Sequence, residues 1–156
     1  MTTVIEGDLL EQDVDAIVNA WNRNFIHFSK FVQHGVAGAI RAKAGDQPFV
    51  EIGTQPIEIG ETRVTGAGEL PHRAIIHVPG IEHDWTTNAD IIRRGASGAV
   101  KAAMEHGFKS IAMPLLGSGV GGFDEDESLR VTMEGIADAN PPKDLEIRIV
   151  RWKRRA

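Results

Sequence analysis

Short apolar runs alternate with amphipathic segments along this chain of 156 residues. The runs that predict strands are residues 3–6, 15–20, 62–65, 74–78, 110–113 and 145–150. The segments that predict helices are residues 35–44, 46–55, 87–107 and 124–140. Because helices alternate with mostly apolar strands, we expect one α/β domain over residues 1–156, with helices covering both faces of its sheet.

Local signals predict where these elements end and which faces they bury. Gly45 follows the first helix as its expected stop, and Thr87 is the expected cap of the helix that begins there. The buried face predicted for the last helix consists of Leu129, Met133 and Ile136. We also expect both of the first two strands to be central in the sheet.

The composition argues against several classes of function. The chain has no cysteine, so it can form no disulfide, no thiolate metal site and no cysteine nucleophile. We expect neither a metal ion nor another cofactor. No apolar run approaches the roughly 20 residues that span a bilayer, and the first strand begins at once. The expected location is therefore the cytoplasm, with no membrane partner.

The charge distribution argues against nucleic acid as a partner, since the net charge is -5. A basic cluster near the end of the sequence is the exception. It consists of Arg148, Arg151, Lys153, Arg154 and Arg155. We interpret this cluster as a solvated strand end rather than a binding patch.

The stretch from Pro114 to Asp124 joins a buried strand to an acidic segment that begins a helix. Four of the seven residues at 117–123 are glycines. Glycines leave consecutive backbone N–H groups uncovered and allow positive φ, which is the chemistry of an anion-binding nest. The alternative is a tight turn that merely needs glycine.

Polar residues also follow the first two strands, at residues 6–9 and 19–22. Ligands of open α/β sheets bind at the carboxyl ends of strands, so these stretches and the glycine-rich loop should face one cleft. The helix at Gly35 offers a second phosphate site, because its first turn has no acidic residue and its N–H groups stay uncompensated. By contrast, we expect the acidic run at 124–127 simply to cap its own helix.

Four segments, in this order, resemble the macrodomain family. They are Gly7-Asp8-Leu9, Asp-Ala-Ile-Val-Asn-Ala-Trp-Asn at residues 15–22, Gly-Val-Ala-Gly-Ala-Ile at 35–40, and Pro-Leu-Leu-Gly-Ser-Gly-Val-Gly-Gly at 114–122. The resemblance covers nearly the whole chain. It implies a three-layer α/β/α sandwich with a mixed central sheet that binds ADP-ribose. In several branches of the family it also implies hydrolysis of ADP-ribosyl esters or O-acetyl-ADP-ribose.

The resemblance also implies individual roles. Asp8 would accept a hydrogen bond from the adenine amino group, with capping of its own turn as the alternative. Asn22 would contact the distal ribose, whereas Asn19 is better explained as structural. The pyrophosphate would lie between the start of the helix at Gly35 and the glycine-rich amides. The expected ligand-binding residues are Asp8, Leu9, Asn19, Asn22, Gly35, Val36, Ala37, Gly117, Ser118, Gly119, Val120, Gly121, Gly122 and Phe123.

Two departures from the family pattern concern catalysis. An aspartate common in hydrolytic branches is replaced by Ala37, whose side chain is a methyl group. Gly121 stands where many members carry an aromatic residue, and another branch has a catalytic aspartate near this position. Phe123 could substitute for the aromatic group.

Without those carboxylates, the catalytic candidates are Asn22 and His34. The loop before His34 is longer than is usual in the family and could also bring in His27 or Lys30, although solvated or packing roles are the alternative for each.

The remaining histidines are predicted to have no part in the chemistry. His77 lies in an apolar strand and is expected to be a hydrogen-bonded core residue, while His72 and His83 are expected in surface loops.

Three functions remain open at this point. The first is binding of ADP-ribose or ADP-ribosylated macromolecules with hydrolysis of an O-acetyl or ADP-ribosyl bond. The second is a reader of ADP-ribose without turnover, which Ala37 favours. The third, ranked last, is an RNA- or nucleotide-binding module that uses the basic tail.

Overall fold

The computed structural model describes residues 1–21, 35–79, 87–117 and 123–152. Its strands are β1 (Thr2–Gly7), β2 (Ala16–Trp21), β3 (Arg63–Thr65), β4 (Ala74–Pro79), β5 (Ser110–Pro114) and β6 (Glu146–Trp152). Its helices are α1 (Gly35–Ala44), α2 (Gln47–Ile52), α3 (Ala89–Glu105) and α4 (Glu125–Ala139), with a short 3₁₀ helix at Leu9–Glu11. The predicted order of strands and helices is therefore confirmed.

The strands form one mixed sheet in the order β1-β6-β5-β2-β4-β3, in which β3 is antiparallel to β4 and the other pairs are parallel. β2 lies between β5 and β4, as predicted. The expectation that β1 is also central was wrong, because it lies at the edge beside β6. Thr3, Val4 and Glu6 of β1 are exposed, whereas a central strand of a parallel sheet is buried on both faces.

The alternation of β2 separates two apolar layers. Ala16 and Val18 face the layer that contains the buried side of α3 and α4. Ile17 and Trp21 face the other layer, together with buried residues of α1 and α2. The helices thus cover both faces, which confirms the predicted three-layer α/β/α architecture.

The start of α3 differs by one residue from the prediction. Asn88, rather than Thr87, caps the helix, because the Asn88 side chain accepts a hydrogen bond from the Ile91 N–H at 3.0 Å. The Thr87 hydroxyl is buried and has no hydrogen-bond partner among the described residues. Both residue types are good caps, so the sequence alone did not discriminate between neighbours.

The buried face of α4 also differs from the prediction. Ile136 is buried and Leu129 partly so, but Met133 is 41% exposed. The buried face consists of Ser128, Val131, Thr132, Gly135, Ile136 and Ala139. A Cβ atom on Gly135 would collide with the Arg93 carbonyl group of α3. Small residues therefore let α3 and α4 approach closely, and a search for large apolar side chains misses this face.

Candidate functional site

The carboxyl ends of β1, β2, β4, β5 and β6 lie along one edge of the sheet, because these strands are parallel. We call this the carboxyl edge. The segments at 22–34, 80–86, 118–122 and 153–156 follow four of these strand ends in the chain and lie outside the described residues. The predicted catalytic residues Asn22 and His34 fall in these segments, as do Ser118, Gly119, Val120, Gly121 and Gly122. Their roles remain predictions.

The first turn of α1 lies toward the carboxyl edge. At the other end of this helix, the Ala44 carbonyl group accepts a hydrogen bond from the Glu69 N–H at 2.9 Å. Glu69 belongs to the connection that leads into the amino end of β4. α1 therefore ends near the amino edge of the sheet and must run antiparallel to β4, so its N-terminus lies at the opposite, carboxyl edge.

This first turn has the features that an anion requires. Gly35 is exposed and has a φ of 65°, and the turn contains no acidic residue. Val36 and Ala37 are half-buried and pack against the core. The free N–H groups and the positive end of the helix dipole thus remain uncompensated by the helix itself. At the start of α4, by contrast, Asp124 caps its own helix by accepting from the Glu127 N–H at 3.0 Å, as predicted.

The glycine-rich loop is held at both ends. Gly117 has a φ of 76°, and a Cβ atom there would lie 2.9 Å from Thr87 Cγ2 and 3.0 Å from Ile92 Cδ1. The Phe123 N–H donates a hydrogen bond to the Gly117 carbonyl group at 2.9 Å. One residue earlier, the Leu116 carbonyl group accepts from the Ser128 hydroxyl at 2.7 Å. Glycine is thus required at 117 for conformation and for space.

Phe123 itself is half-buried and packs against the core cluster on the α3–α4 side of the sheet. Its backbone closes the loop, while its ring has a packing role. The predicted contact of this ring with a ligand is not tested by these contacts.

Asp8 follows β1 at the carboxyl edge and caps the 3₁₀ helix, because its Oδ1 accepts from the Leu10 N–H at 2.8 Å. The turn-capping interpretation is therefore confirmed, and it leaves the ligand role open, since Asp8 is only half-buried. Oδ2 makes no hydrogen bond within the described part of the chain, so it is free to accept one from a ligand. The Leu9 side chain is fully buried in the core, so only its backbone could contact a ligand.

Asn19 and His77 form a buried polar pair in the sheet. Asn19 Nδ2 lies 3.0 Å from His77 Nδ1, and Thr65 Oγ1 lies 2.8 Å from His77 Nε2. Burial, together with the nearby positive charge of Arg63, lowers the pKa of His77 to about 3. His77 is therefore the neutral, hydrogen-bonded core histidine that the sequence predicted. Asn19 binds this histidine rather than a loop backbone, and its contact with a ligand remains a prediction.

The predicted surface position of His72 was wrong. It was expected on the surface, but it is buried, with its Nε2 atom 2.8 Å from the Gln12 carbonyl oxygen. A histidine beside proline in a turn resembles a surface residue in sequence, and only the fold brings Gln12 against it. His83 lies outside the described residues.

Trp152 is a site candidate that was not predicted from the sequence. It lies opposite Gly7 in the β1–β6 register, one residue from Asp8, and is 42% exposed. An exposed aromatic ring at the carboxyl edge is a stacking surface for a base. The available signal was a tryptophan at the end of an alternating strand, which the basic cluster around it obscured.

The described part of the basic cluster is engaged in ion pairs. Arg148 binds Asp13 at 2.7 Å and Glu146 at 2.9 Å, while Arg151 binds Asp126 at 3.0 Å. These contacts agree with a solvated, ion-paired strand end and remove two charges from any surface for RNA. Lys153, Arg154 and Arg155 lie outside the described residues.

A shallow recess of about 200 Å³ lies away from the carboxyl edge, near the amino ends of β5 and β6. Phe108, Pro142 and Leu145 line it, with other neighbours, and none of the predicted site residues does. Within the described ranges, no group of three histidine and acidic side chains could hold a metal ion. Nor does any described helix have the length and apolarity needed to cross a membrane.

Comparison with known proteins places these features in a family. The model of the Macro domain matches residues 18–132. The O-acetyl-ADP-ribose deacetylase of Escherichia fergusonii is 33% identical over 142 residues, which cover 86% of this chain and 77% of that protein. An uncharacterized protein of Mycobacterium bovis is 34% identical over 140 residues, or 88% of this chain, but the match spans only 37% of that longer relative.

Solved structures agree with the fold. A Trypanosoma brucei macrodomain in complex with ADP-ribose superimposes with a TM-score of 0.81 at 23% identity, covering 97% of this chain and 63% of that chain. The macrodomain of Mycobacterium tuberculosis DarG has a TM-score of 0.77 at 25% identity. The match covers 96% of this chain and 97% of that chain. Since both the sequence and the three-layer architecture match, the chain belongs to the Macro domain family.

Proposed function

We propose that this chain binds ADP-ribose, either free or attached to a macromolecule, in the crevice at the carboxyl edge. The observation that carries the proposal is the first turn of α1, which directs uncompensated N–H groups to that edge without any acidic residue. A pyrophosphate group would neutralise the positive partial charge of this helix end. The glycine-rich loop, whose ends are joined at Gly117 and Phe123, would supply a second set of backbone amides for the same group.

The adenine base would be recognised at the β1 side of this crevice. Asp8 Oδ2 is free to accept from the amino group of the base, and the exposed ring of Trp152 lies nearby in the strand register. The proposal is also supported by the solved complex of a related macrodomain with ADP-ribose.

Calorimetry with three ligands tests this proposal. We expect ADP-ribose to bind more tightly than AMP, which lacks the second phosphate and the distal ribose. It should also bind more tightly than NAD, because NAD carries a bulky nicotinamide on its distal ribose. Equal or tighter binding of AMP would contradict the pyrophosphate assignment.

Two variants add a charge to α1, one at half-buried Val36 and one at exposed Ala42. Val36→Asp introduces a carboxylate beside the proposed pyrophosphate, whereas Ala42→Asp introduces one in the last turn of the same helix. Repulsion should weaken ADP-ribose binding at least about tenfold in the first variant, which corresponds to about 1.4 kcal/mol. The second variant should retain the wild-type affinity.

Turnover of O-acetyl-ADP-ribose or of an ADP-ribosyl bond is proposed to be weak. One relative, which is 33% identical to this chain, is an O-acetyl-ADP-ribose deacetylase. Here, however, the first turn of α1 carries the methyl group of Ala37 and no carboxylate to position water. General acid–base catalysis typically contributes about 10²–10⁴-fold, so a site without a positioned base should fall short by that factor.

Single-turnover rates with O-acetyl-ADP-ribose and with mono-ADP-ribosylated protein distinguish weak turnover from none. We expect Asn22→Ala to abolish any activity, and His34→Ala to matter only if the loop supplies the base. Ala37→Asp should raise the rate. Fast hydrolysis that survives both alanine substitutions would show that the proposed catalytic residues are wrong.

The second candidate function is a reader that binds ADP-ribose without turnover. Ala37 favours it, because the half-buried methyl group cannot take part in proton transfer. Tight binding of ADP-ribose with no measurable product from either substrate would establish this function.

A further inference from the structure

The buried polar pair described above belongs to a longer chain of hydrogen bonds whose direction is fixed at one end. The Gly66 carbonyl oxygen can only accept, so the Thr65 hydroxyl must donate its single hydrogen to it, at 2.9 Å. Thr65 Oγ1 has then only a lone pair to offer His77 Nε2, which lies 2.8 Å away. The hydrogen of the neutral imidazole must therefore be on Nε2.

This tautomer determines which way the Asn19 amide faces. With the hydrogen on Nε2, His77 Nδ1 carries a lone pair and can only accept. The group of Asn19 that lies 3.0 Å from it must be the NH₂ donor. The Asn19 carbonyl oxygen, Oδ1, is thereby directed away from His77. It is buried and has no hydrogen-bond partner among the described residues.

Asn19 lies near the carboxyl end of its strand. Asn19 shares the face of Ile17 and Trp21, two residues before the end of β2, and this is the face that α1 covers. A buried acceptor without a donor costs about 1–3 kcal/mol. Asn19 is needed as the donor to His77 Nδ1, and a hydroxyl group that arrives with a ligand would satisfy the oxygen that this arrangement leaves unpaired.

We propose that Thr65 and His77 are positioning residues, which orient Asn19 so that its Oδ1 accepts a hydrogen bond from a sugar hydroxyl of the bound ligand. Asn19 makes the contact, and the other two act through it. The inference rests on the proposed function, because ADP-ribose is the ligand that brings the hydroxyl groups.

Loss of the Thr65 hydroxyl should reverse the direction of the hydrogen bond between His77 and Asn19. In Thr65→Val, His77 Nε2 has no acceptor, so the hydrogen moves to Nδ1 and the Asn19 amide rotates to present its oxygen to His77. The NH₂ group would then face the ligand hydroxyl in place of the acceptor. Thr65→Ser keeps the hydroxyl and should keep both the tautomer and the affinity.

The experiment combines two measurements on the same proteins. Nitrogen-15 NMR of the imidazole reports the tautomer of His77, and calorimetry reports the affinity for ADP-ribose. Thr132→Val is the matched control, because Thr132 is a buried threonine on α4, against the opposite face of the sheet. Thr65→Ala removes the same hydroxyl without adding a methyl group, and is the second test variant if the valine variant does not fold.

We expect hydrogen on Nε2 in the wild type, in Thr65→Ser and in Thr132→Val. In Thr65→Val it should be on Nδ1, and binding of ADP-ribose should be at least about fivefold weaker. Hydrogen on Nδ1 in the wild type would overturn the inference. So would a changed tautomer with unchanged affinity, since Thr65 and His77 would then be merely structural. A wild type with the expected tautomer that does not bind ADP-ribose would instead show that the proposed function had failed.

Discussion

Asp8 caps the 3₁₀ helix and is proposed to bind the ligand, and substitutions can separate these two roles. Asp8→Ala removes both the cap of Leu10 and the free oxygen, so we expect weaker binding of ADP-ribose, by about 1–3 kcal/mol, and lower stability. Asp8→Asn keeps an oxygen for the Leu10 N–H but replaces Oδ2 by a donor. It should retain the stability and lose the affinity, as measured by urea denaturation and calorimetry. Unchanged affinity in both variants would mean that Asp8 only caps its turn.

Glycine is required at 117 both for its positive φ and for the space around it. A comparison with Gly107, which has a positive φ but open surroundings, separates the two requirements. Gly117→Ala forces an L side chain to a φ of 76° and places its Cβ against Thr87 and Ile92. The conformation costs about 1–2 kcal/mol and the overpacking about 1–3 kcal/mol more. Urea denaturation should show this combined loss in the free energy of unfolding.

Gly107→Ala is the control for this comparison. Gly107 has a φ of 70°, but a Cβ there would meet no atom within 4 Å. Only the conformational cost should appear. Equal losses in the two alanine variants would show that the contact with α3 is unimportant.

The residues of the site were predictable to different degrees. Glycine at 117 and the absence of acid at the start of α1 depend on local backbone chemistry, which the sequence contains. Trp152 is near Asp8 only because β6 pairs with β1, and such pairing between distant segments leaves no local signal. The same applies to the contact of His72 with Gln12.

Among the secondary-structure elements, α3 has a cap that can be tested against the one expected from the sequence. Asn88→Ala should lower the free energy of unfolding by about 1 kcal/mol, because the Ile91 N–H loses its acceptor. Thr87→Val should be close to neutral, since the Thr87 hydroxyl has no partner in the described part of the chain and the methyl group is retained. Urea denaturation of both variants decides the assignment. A larger loss in Thr87→Val would restore Thr87 as the cap.

The predicted elements matched the structure where periodicity and end signals agreed. α1 ends at Ala44 before Gly45, as its spacing indicates, and the buried run of β5 follows its apolar sequence. For α4 the prediction held for Ile136 and failed for Met133, because Ser128, Thr132 and Gly135 share the buried face in its place. Close helix packing selects for small size rather than apolarity, so hydrophobic periodicity does not reveal it.

For the chain as a whole, His77 makes stability depend on pH. Its pKa is about 3 in the folded state, against 6.5 for the free side chain. Between these two pH values the unfolded chain binds a proton that the folded chain does not, so stability is complete above pH 6.5 and falls as the pH decreases. The slope is about 1.4 kcal/mol per pH unit.

Urea denaturation of the wild type at pH 7 and pH 5 measures this loss, and His77→Gln removes the titrating group. The wild type should lose about 2 kcal/mol more than the variant between these pH values. The exposed carboxyl groups of Asp13 and Glu127 have lowered pKa values because Arg148 and Arg130 bind them. Their contribution is lost only at lower pH and is common to both proteins. Equal losses in the two proteins would show that His77 is protonated in the fold.

The hydrogen bond between the Phe123 N–H and the Gly117 carbonyl group joins the two ends of the five-residue segment between them. We therefore expect that this segment can be replaced. This bond is made by the backbone of the two flanking residues and not by side chains of the segment, and doubling the length of a connection adds only about 0.6 kcal/mol of closure entropy. Segments of other lengths and compositions can therefore be grafted between these two residues with little effect on folding. A library built at this position would vary ligand preference on a constant scaffold.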